Sequence, residues 1–438
     1  MKKIKGKTTL IISKTMNYKV FKFGGASVKD GDCVRSLQAI LNRYPNETLI
    51  VVISAMGKTT NLLEALLHAY YYNSGKLQEL LQTLKETHYA VARNLTPQND
   101  KIITKLDTVF RQLEARLAIE PSDNYDFDYD QIVSFGELLS TKLISTYLNI
   151  SGMRNHWLDV RNVIRTDSNF REGRVNWDIS TEHIRQQCNA LCEAGHRLII
   201  TQGFIGGTSE KLTTTLGREG SDYTAAIFAY SLDVESVTIW KDVIGLLNAD
   251  PKFFPDAVKL DEIAYEEAIE LSYYGASVIH PKTLKPLQNK SIPLYVKSFY
   301  HPEEAGSLIT ATDTKNSIPS IIFKSNQILI SLFPKDFSFI DVENLSHIFT
   351  NLSQHKIKLN LLQNSALSFS ICTDYEEKRI EAVIDLLSKD YKVKYNNKVE
   401  LITIRHYNDE IINKLLAHKQ ILLEQRSRTM LQAATIGL

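Results

Sequence analysis

Two hydrophobic periods divide the chain. Short, nearly continuous apolar runs at residues 20–23, 49–53, 197–201, 237–244 and 294–297 close on small or polar residues. Most lead into a helical pattern, as strands buried on both faces of a parallel sheet do. Between the second and third runs, residues 62–120 carry leucines at helical spacing, with Leu77, Leu80, Leu81 and Leu84 forming a stripe, which predicts long amphipathic helices. A further helix is expected from 261 to about 274, and residues 302–314, dense in turn-formers and charge, read as a linker. Beyond it the order changes. Strand 328–333, helix 342–354, strands 358–363 and 366–372 and helix 377–387 spell βαββα, the order of a ferredoxin-like module, and a shorter second copy follows at 400–406, 408–416, 420–425 and 430–435. The expected fold class is α/β, a mainly parallel central sheet between helices, with C-terminal α+β ferredoxin-like modules.

Composition adds limits. A chain of 438 residues exceeds one ordinary core and predicts two or three domains. Its 43% hydrophobic and 23% charged residues are those of a soluble globular protein. With 51 basic and 50 acidic side chains the net charge is +1, so neither nucleic acid nor a membrane is expected as a partner, and any anion site is local. Four scattered cysteines, Cys33, Cys188, Cys192 and Cys372, fit a reducing, cytoplasmic setting. Cys188 and Cys192 share a helix face, but no second pair completes a tetrahedral metal set, so they read as small apolar residues. Residues 1–17 are too short in apolar content for a signal or a membrane span and read as a flexible extension. The acidic, aromatic stretch 123–130 lacks the glycine turn and final glutamate of a calcium loop and reads as a solvated loop.

Two clusters carry chemistry. The first apolar run continues into Lys22-Phe23-Gly24-Gly25-Ala26-Ser27, where adjacent glycines let backbone N–H groups approach an oxyanion and a following helix start adds a favourable dipole. Lys22 beside them is placed to neutralise a phosphoryl group in flight. No Walker loop occurs. In the second cluster, residues 213–224, Arg218 offers a fork for a carboxylate, while Asp222 either positions Lys22 or orders the water around a bound cation. The plainer alternative is that Asp222 or Ser221 caps a helix.

Six blocks together resemble aspartate kinases of the amino acid kinase fold. They are residues 22–28, Val-Ile-Ser-Ala-Met-Gly-Lys-Thr-Thr-Asn-Leu at 52–62, Ser-Phe-Gly-Glu-Leu at 134–138, Thr-Gln-Gly-Phe-Ile-Gly at 201–206, residues 213–224, and Gly-Ala-Ser-Val-Ile-His-Pro at 275–281. They stand in the family's order, and the C-terminal repeats resemble its ACT pair. The resemblance implies ATP-dependent phosphorylation of the L-aspartate side-chain carboxylate to 4-phospho-L-aspartate, the first step of lysine, threonine and methionine biosynthesis. Mg²⁺ would enter through the ATP phosphates and water, with no direct protein ligand. By the same resemblance Lys22 stabilises the transferred phosphoryl group, Asp222 orients that lysine, and Gly24, Gly25 and Ser27 form the phosphate turn. Thr60, Glu137, Arg218 and Ser221 form the aspartate pocket, with Arg218 on a carboxylate and Glu137 on the α-ammonium. Trp240, Lys241, Asp242, Lys252 and Ser277 hold the nucleotide, while Asn360 and Ser365 fall in the segment that binds an amino-acid effector.

The chain departs from the family at several points. Lys241 stands where threonine is frequent, Leu247 where tyrosine is, Lys252 where arginine is, and Ser277 where lysine is. Asn360 replaces an aspartate that meets the ammonium of lysine in lysine-sensitive relatives, so weak lysine inhibition is expected. His280 reads as structural, because a carboxylate acceptor needs no general base. The implied organisation is an extension over 1–17, a catalytic domain over 18–310, and a tandem ACT-like region over 320–438 with a short second module, dimerising through those modules. No G-x-G-x-x-G unit follows the last module, so no fused dehydrogenase is expected. The competing readings are another kinase of the same fold, for acetylglutamate, glutamate or uridylate, and a catalytically silent amino-acid sensor.

Overall fold

The structure is a computed structural model and describes residues 17–276, 279–312, 318–336 and 338–437. The chain separates into two compact units, one running to Gly245 and including Lys282–Ala311, the other comprising Leu246–Pro281 and the residues from Thr312 onward.

The first unit is built on strands β1 (Tyr18–Phe23), β2 (Thr48–Ile53), β3 (His156–Leu158), β4 (Leu198–Gln202), β5 (Ile205–Gly207), β6 (Thr213–Thr215) and β7 (Ser236–Lys241). Its main sheet runs Ser307–Thr310, Leu294–Ser298, β7, β1, β2, β4, β3. All of these pairings are parallel except that of Ser307–Thr310 with Leu294–Ser298, which is antiparallel. Val20, Phe21, Phe23, Ile50, Val51 and Ile239 are wholly buried, which is why these strands read as unbroken apolar runs. From β1 the sheet extends through β2 on one side and β7 on the other. Such a reversal opens a crevice at the carboxyl ends of the central strands, where α/β sheets bind ligands. Residues 62–120 are helical as expected, with Leu81 and Leu84 buried from the helix Leu77–Leu95.

Three expectations are corrected here. The segment read as a linker contains the strand Ser307–Thr310, whose Ser307 and Ile309 point inward against Leu294–Ser298. The run over 237–244 ends as a strand at Lys241. The acidic stretch is the helix Tyr125–Val133, capped by Asn124, and its Asp128 and Asp130 are buried. Asp128 ion-pairs with Arg116 and accepts from the backbone and hydroxyl of Ser122 at 2.8 and 3.0 Å. Cys188 is buried and its thiol pushed up to about 12 by burial, and among the described residues no acid, histidine or cysteine cluster suits a metal.

The second unit carries an antiparallel sheet in the order Leu359–Asn364, Phe369–Asp374, Ser320–Pro334, Tyr391–Arg405, Met430–Gly437, Lys419–Arg426. Its two central strands are twice the expected length. Ser320 to Lys324 pairs with Leu401 to Arg405, and Gln327 to Pro334 with Tyr391 to Val399, with irregular register between the halves. The second module, short when read only from residue 400, thus takes a further strand from before the first module. Helices Val342–Gln354 and Glu377–Leu387 cover the first half, packing Ile348, Leu352, Ile380 and Val383 against Ile330, Leu332, Phe369 and Ile371. Over the second half, Ala249, Phe254 and Ala257 pack with Ile321, Ile402, Ile404 and Leu431. The helix expected from 261 begins at Tyr265, after a strand at Glu262–Ala264. Its Glu267 takes Arg405 through two bonds of 2.8 Å and His406 at 3.0 Å, while Glu270 takes Arg405 at 2.9 Å. Burial alone would raise the Glu267 carboxyl, but Arg405 and His406 hold it below its ordinary value.

Candidate active site

The crevice of the first unit is made by the turns after β1 and β2, by the start of a helix beneath them, and by the end of β7. Phe23 O accepts from Ser54 N at 3.1 Å, and Gly25 O from Gly57 N at 3.0 Å, so the two turns are tied to each other. A side chain at Gly25 would approach Ala55 O to 2.7 Å, which excludes any other residue there. At Gly24 a Cβ would sit 3.4 Å from Lys22 Nζ, so glycine leaves the space beside the ammonium open. The turn then forms a single 3₁₀ turn, Gly25–Val28, rather than the helix start expected from sequence. The α-helix begins at Gly31, capped by Asp30.

Lys22 is buried at the end of β1, and its Nζ lies 2.7 Å from Asp222 Oδ1. Asp222 is itself buried in the first turn of the helix Gly220–Leu232, and Lys241 Nζ approaches its other oxygen at 3.9 Å. Asp222 thus fixes the Lys22 ammonium at the strand end, and Lys241 stands within reach of the same carboxylate. Ser27 donates its hydroxyl to Trp240 O at 3.5 Å, linking the glycine turn to β7. The Trp240 ring is fully buried and stacks on Phe23 at 6.0 Å between centroids. Its ring therefore builds the sheet and leaves only its backbone to face a ligand. Asp242, just past β7, is exposed.

Glu137 enters from the first turn of the helix Phe135–Ile150 and is buried. Its Oε1 accepts from Ala55 N at 3.2 Å, while Oε2 has no hydrogen-bond partner. Burial pushes its carboxyl up to about 8, against the pull of the Ala55 amide and of Lys22. An unpartnered oxygen on a buried acid is costly, and an incoming cation relieves that cost. Thr60 stands half-buried in the first turn of the helix Thr59–Tyr71. Neighbouring Thr59 is close enough that a Cβ on Gly136 would meet its methyl at 3.5 Å.

Arg218 is exposed on the turn between β6 and the helix Gly220–Leu232, flanked by Gly217 and Glu219, both with left-handed backbone (φ +76° and +53°). Ser221 is buried against Gly203, where a Cβ would come within 2.4 Å of its own. The remaining residues singled out from sequence belong to the second unit. Lys252 is exposed in a turn whose Asp250 side chain accepts its backbone N–H at 2.9 Å, and Ser277 lies outside the described residues. Asn360 is enclosed by polar partners, accepting from Lys324 Nζ at 2.9 Å and donating to Gln327 Oε1 and Asp374 Oδ1 at 2.7 and 3.0 Å. Ser365 closes the turn to Ser368, with 2.8 Å from its N–H to the Ser368 carbonyl.

The profile of the amino acid kinase family matches residues 17–298. The lysine-sensitive aspartokinase 3 of Escherichia coli K12 is 35% identical over 361 residues, covering 81% of this chain and 78% of the relative. This chain belongs to the amino acid kinase family, among its aspartokinases. The chloroplastic aspartokinase 1 of Arabidopsis thaliana is 30% identical over 81% of this chain and 63% of its own length. Two crystal structures of E. coli aspartokinase III, one in complex with lysine and aspartate and one with aspartate and ADP, are each 29% identical. They superpose with TM-scores of 0.81 and 0.80, covering 96% of both chains. The strand ends, glycine turns and helix starts described above all fall inside the family's span.

Proposed function

We propose that this aspartokinase transfers the γ-phosphoryl group of MgATP to the side-chain carboxylate of L-aspartate, giving 4-phospho-L-aspartate and ADP. The observation that carries the reading is the Lys22–Asp222 pair beside the open space at Gly24, with the unpartnered oxygen of Glu137 in the same unit. The γ-phosphoryl group sits against Lys22 and the N–H groups of Gly24 and Gly25, in a turn that Ser27 closes by donating its N–H to Gly24 O at 3.0 Å. Arg218 takes a carboxylate of aspartate, Glu137 its α-ammonium, and Thr60 and Ser221 line the pocket. The β-carboxylate then attacks phosphorus in line, and the bond to the ADP oxygen breaks. The attacking group is already ionised, so no base is needed, and the rate comes from alignment and charge neutralisation. Asp222 is engaged by two lysines and is a poor direct metal ligand, so the divalent cation enters as part of the nucleotide. Lys241, Asp242 and the Trp240 backbone are assigned to the nucleotide. Trapping with hydroxylamine tests the reaction. Aspartyl hydroxamate should accumulate only with both ATP and aspartate present, and its absence would refute an acyl-phosphate product.

The state of Glu137 has a measurable consequence. Pairing with an ammonium requires the carboxylate, whereas burial keeps the free enzyme's group protonated below about pH 8. Aspartate binding should therefore release close to one proton at pH 7, and its affinity should rise with pH by up to about tenfold per unit before levelling above that value. Calorimetry in buffers of different ionisation enthalpy reads the released proton directly. Proton-neutral binding would remove Glu137 from the ammonium site.

We further propose that residues 18–310 are the catalytic domain and 320–438 an ACT-like regulatory region that makes a homodimer and binds an amino-acid effector at Asn360 and Ser365. Supporting the regulatory region, the residues from Thr312 onward lie in one compact unit with the antiparallel sheet, and both edge strands of that sheet offer pairing positions to a second copy. The side-chain carbonyl of Asn360 already accepts from the chain's own Lys324 and gives a further ammonium no ion pair. L-lysine should thus inhibit weakly or not at all in a titration, and submillimolar inhibition would contradict this assignment. Light scattering should give the mass of a dimer. No helix among the described residues is long and apolar enough to cross a membrane. With its free cysteines, the chain is assigned to the cytoplasm.

A further inference from the structure

We propose that Asp130 is a positioning residue for aspartate binding, because it fixes the short strand from which Arg218 is presented. This rests on the assignment of Arg218 to the substrate carboxylate. β6 has only three residues and pairs with β5 along one edge, Ile205 opposite Thr215 and Gly207 opposite Thr213. Its other edge has no strand. Two side chains of the helix Tyr125–Val133 take that place. Gln131 pairs with Thr213 as a strand would, its Nε2 donating to Thr213 O at 2.8 Å and its Oε1 accepting from Thr213 N at 3.2 Å. Asp130 does the same at the next inward position, accepting from Thr215 N at 2.8 Å and from the Thr215 hydroxyl at 2.7 Å.

The same carboxylate reaches a second segment, accepting from Arg171 N at 2.9 Å. Arg171 has a left-handed backbone (φ +67°), and its guanidinium is held over the Tyr129 ring at 4.3 Å and beside Asp126 at 3.3 Å. From this segment Gly173 N donates to Thr215 O at 2.8 Å, and a Cβ on Gly217 would stand 3.4 Å from Arg171 O. The turn bearing Arg218 therefore lies on a support that converges on one buried acid, three residues before Arg218 in β6 and across the Arg171 segment. One Asp130 oxygen accepts both backbone N–H groups, from Thr215 and Arg171, while the other meets the Thr215 hydroxyl. The charged and titratable groups acting with it are Arg171 and Tyr129, and burial pushes its own carboxyl up to about 6.

Two substitutions test this. Asp130→Asn can keep its carbonyl on the N–H groups of Thr215 and Arg171 and turn its amide to the Thr215 hydroxyl, and should leave aspartate KM within about twofold of the wild type; Asp130→Ala removes the common anchor of the strand and the Arg171 segment. The alanine variant should raise aspartate KM about tenfold while kcat and ATP KM stay within about threefold, the pattern of lost ground-state binding. Thr215→Val, which removes only the hydroxyl bond, should raise aspartate KM about threefold. Asp128→Asn is the contrast: the neighbouring buried acid is bound to Arg116 and Ser122, and its loss should lower the Tm without a selective change in aspartate KM. If Asp130→Ala does not fold, Thr215→Val decides. Should folded Asp130→Ala and Thr215→Val leave aspartate KM unchanged, or shift ATP KM equally, while Arg218→Lys raises aspartate KM, the positioning role is overturned. An Arg218→Lys enzyme with normal aspartate KM would instead overturn the assignment of Arg218.

Discussion

Replacing Lys22 with alanine is expected to lower kcat by something on the order of 10²–10⁴, with a smaller change in aspartate KM, the scale for losing one preorganised electrostatic group. The expectation follows from place and company. Lys22 ends the central strand, is buried, and stands beside the one position in the turn where a Cβ is missing without crowding. Negative charge moving between two oxygens near it is stabilised most at the midpoint of transfer. The alanine variant also leaves Asp222 buried with only Lys241 at 3.9 Å. Some of the loss would then come from an uncompensated acid rather than from the missing cation. Lys22→Ala combined with Asp222→Ala separates the two causes: the double variant stays slow if the ammonium acts on the transition state, and recovers if the stranded acid was the fault. Near-normal turnover of Lys22→Ala would sink the assignment.

The second large effect is expected at Arg218. Arg218→Lys keeps the charge but loses the planar fork, so aspartate KM should rise at least about tenfold, equivalent to 1.4 kcal/mol, with little change in ATP KM. A twofold change or less would mean that the guanidinium does not clamp the substrate. The exposed setting of Arg218 makes this test clean. Its side chain supports no core, so a folding defect is not expected from the substitution.

The parts of this fold that depend on local pattern were legible in the chain. Helices 342–354 and 377–387 have the limits that their apolar spacing indicates, because each is a single amphipathic helix on one face of a sheet. The parallel strands β1, β2, β4, β7 and Leu294–Ser298 were legible as short apolar runs, whereas the three-residue strand His156–Leu158 was too brief to show one. What escaped depends on partners remote in sequence. The first half of the strand Ser320–Pro334 is interrupted by Lys324, Ser325 and Asn326, which sit at the register irregularity, and the pattern hides a strand that serves two half-sheets. Asp128 and Asp130 read as solvated because acids usually are, whereas Arg116, Ser122, Arg171 and Thr215 supply all their bonds. At the site, the motifs indicated Lys22, the glycine pair and Asp222. They could not indicate that the Trp240 ring is consumed by the core, that Gly25 opens a 3₁₀ turn, or that Glu137 keeps an unpartnered oxygen. Those are properties of depth, which one-dimensional pattern does not carry.

Whether aspartate is the phosphoryl acceptor is decided by coupled ADP release over a panel of acceptors. L-aspartate, L-glutamate, N-acetyl-L-glutamate, UMP and no acceptor would each be assayed with MgATP. Turnover should depend on L-aspartate and stay at the no-acceptor level with the others. ADP release that ignores aspartate, or that is faster with another member of the panel, would contradict it.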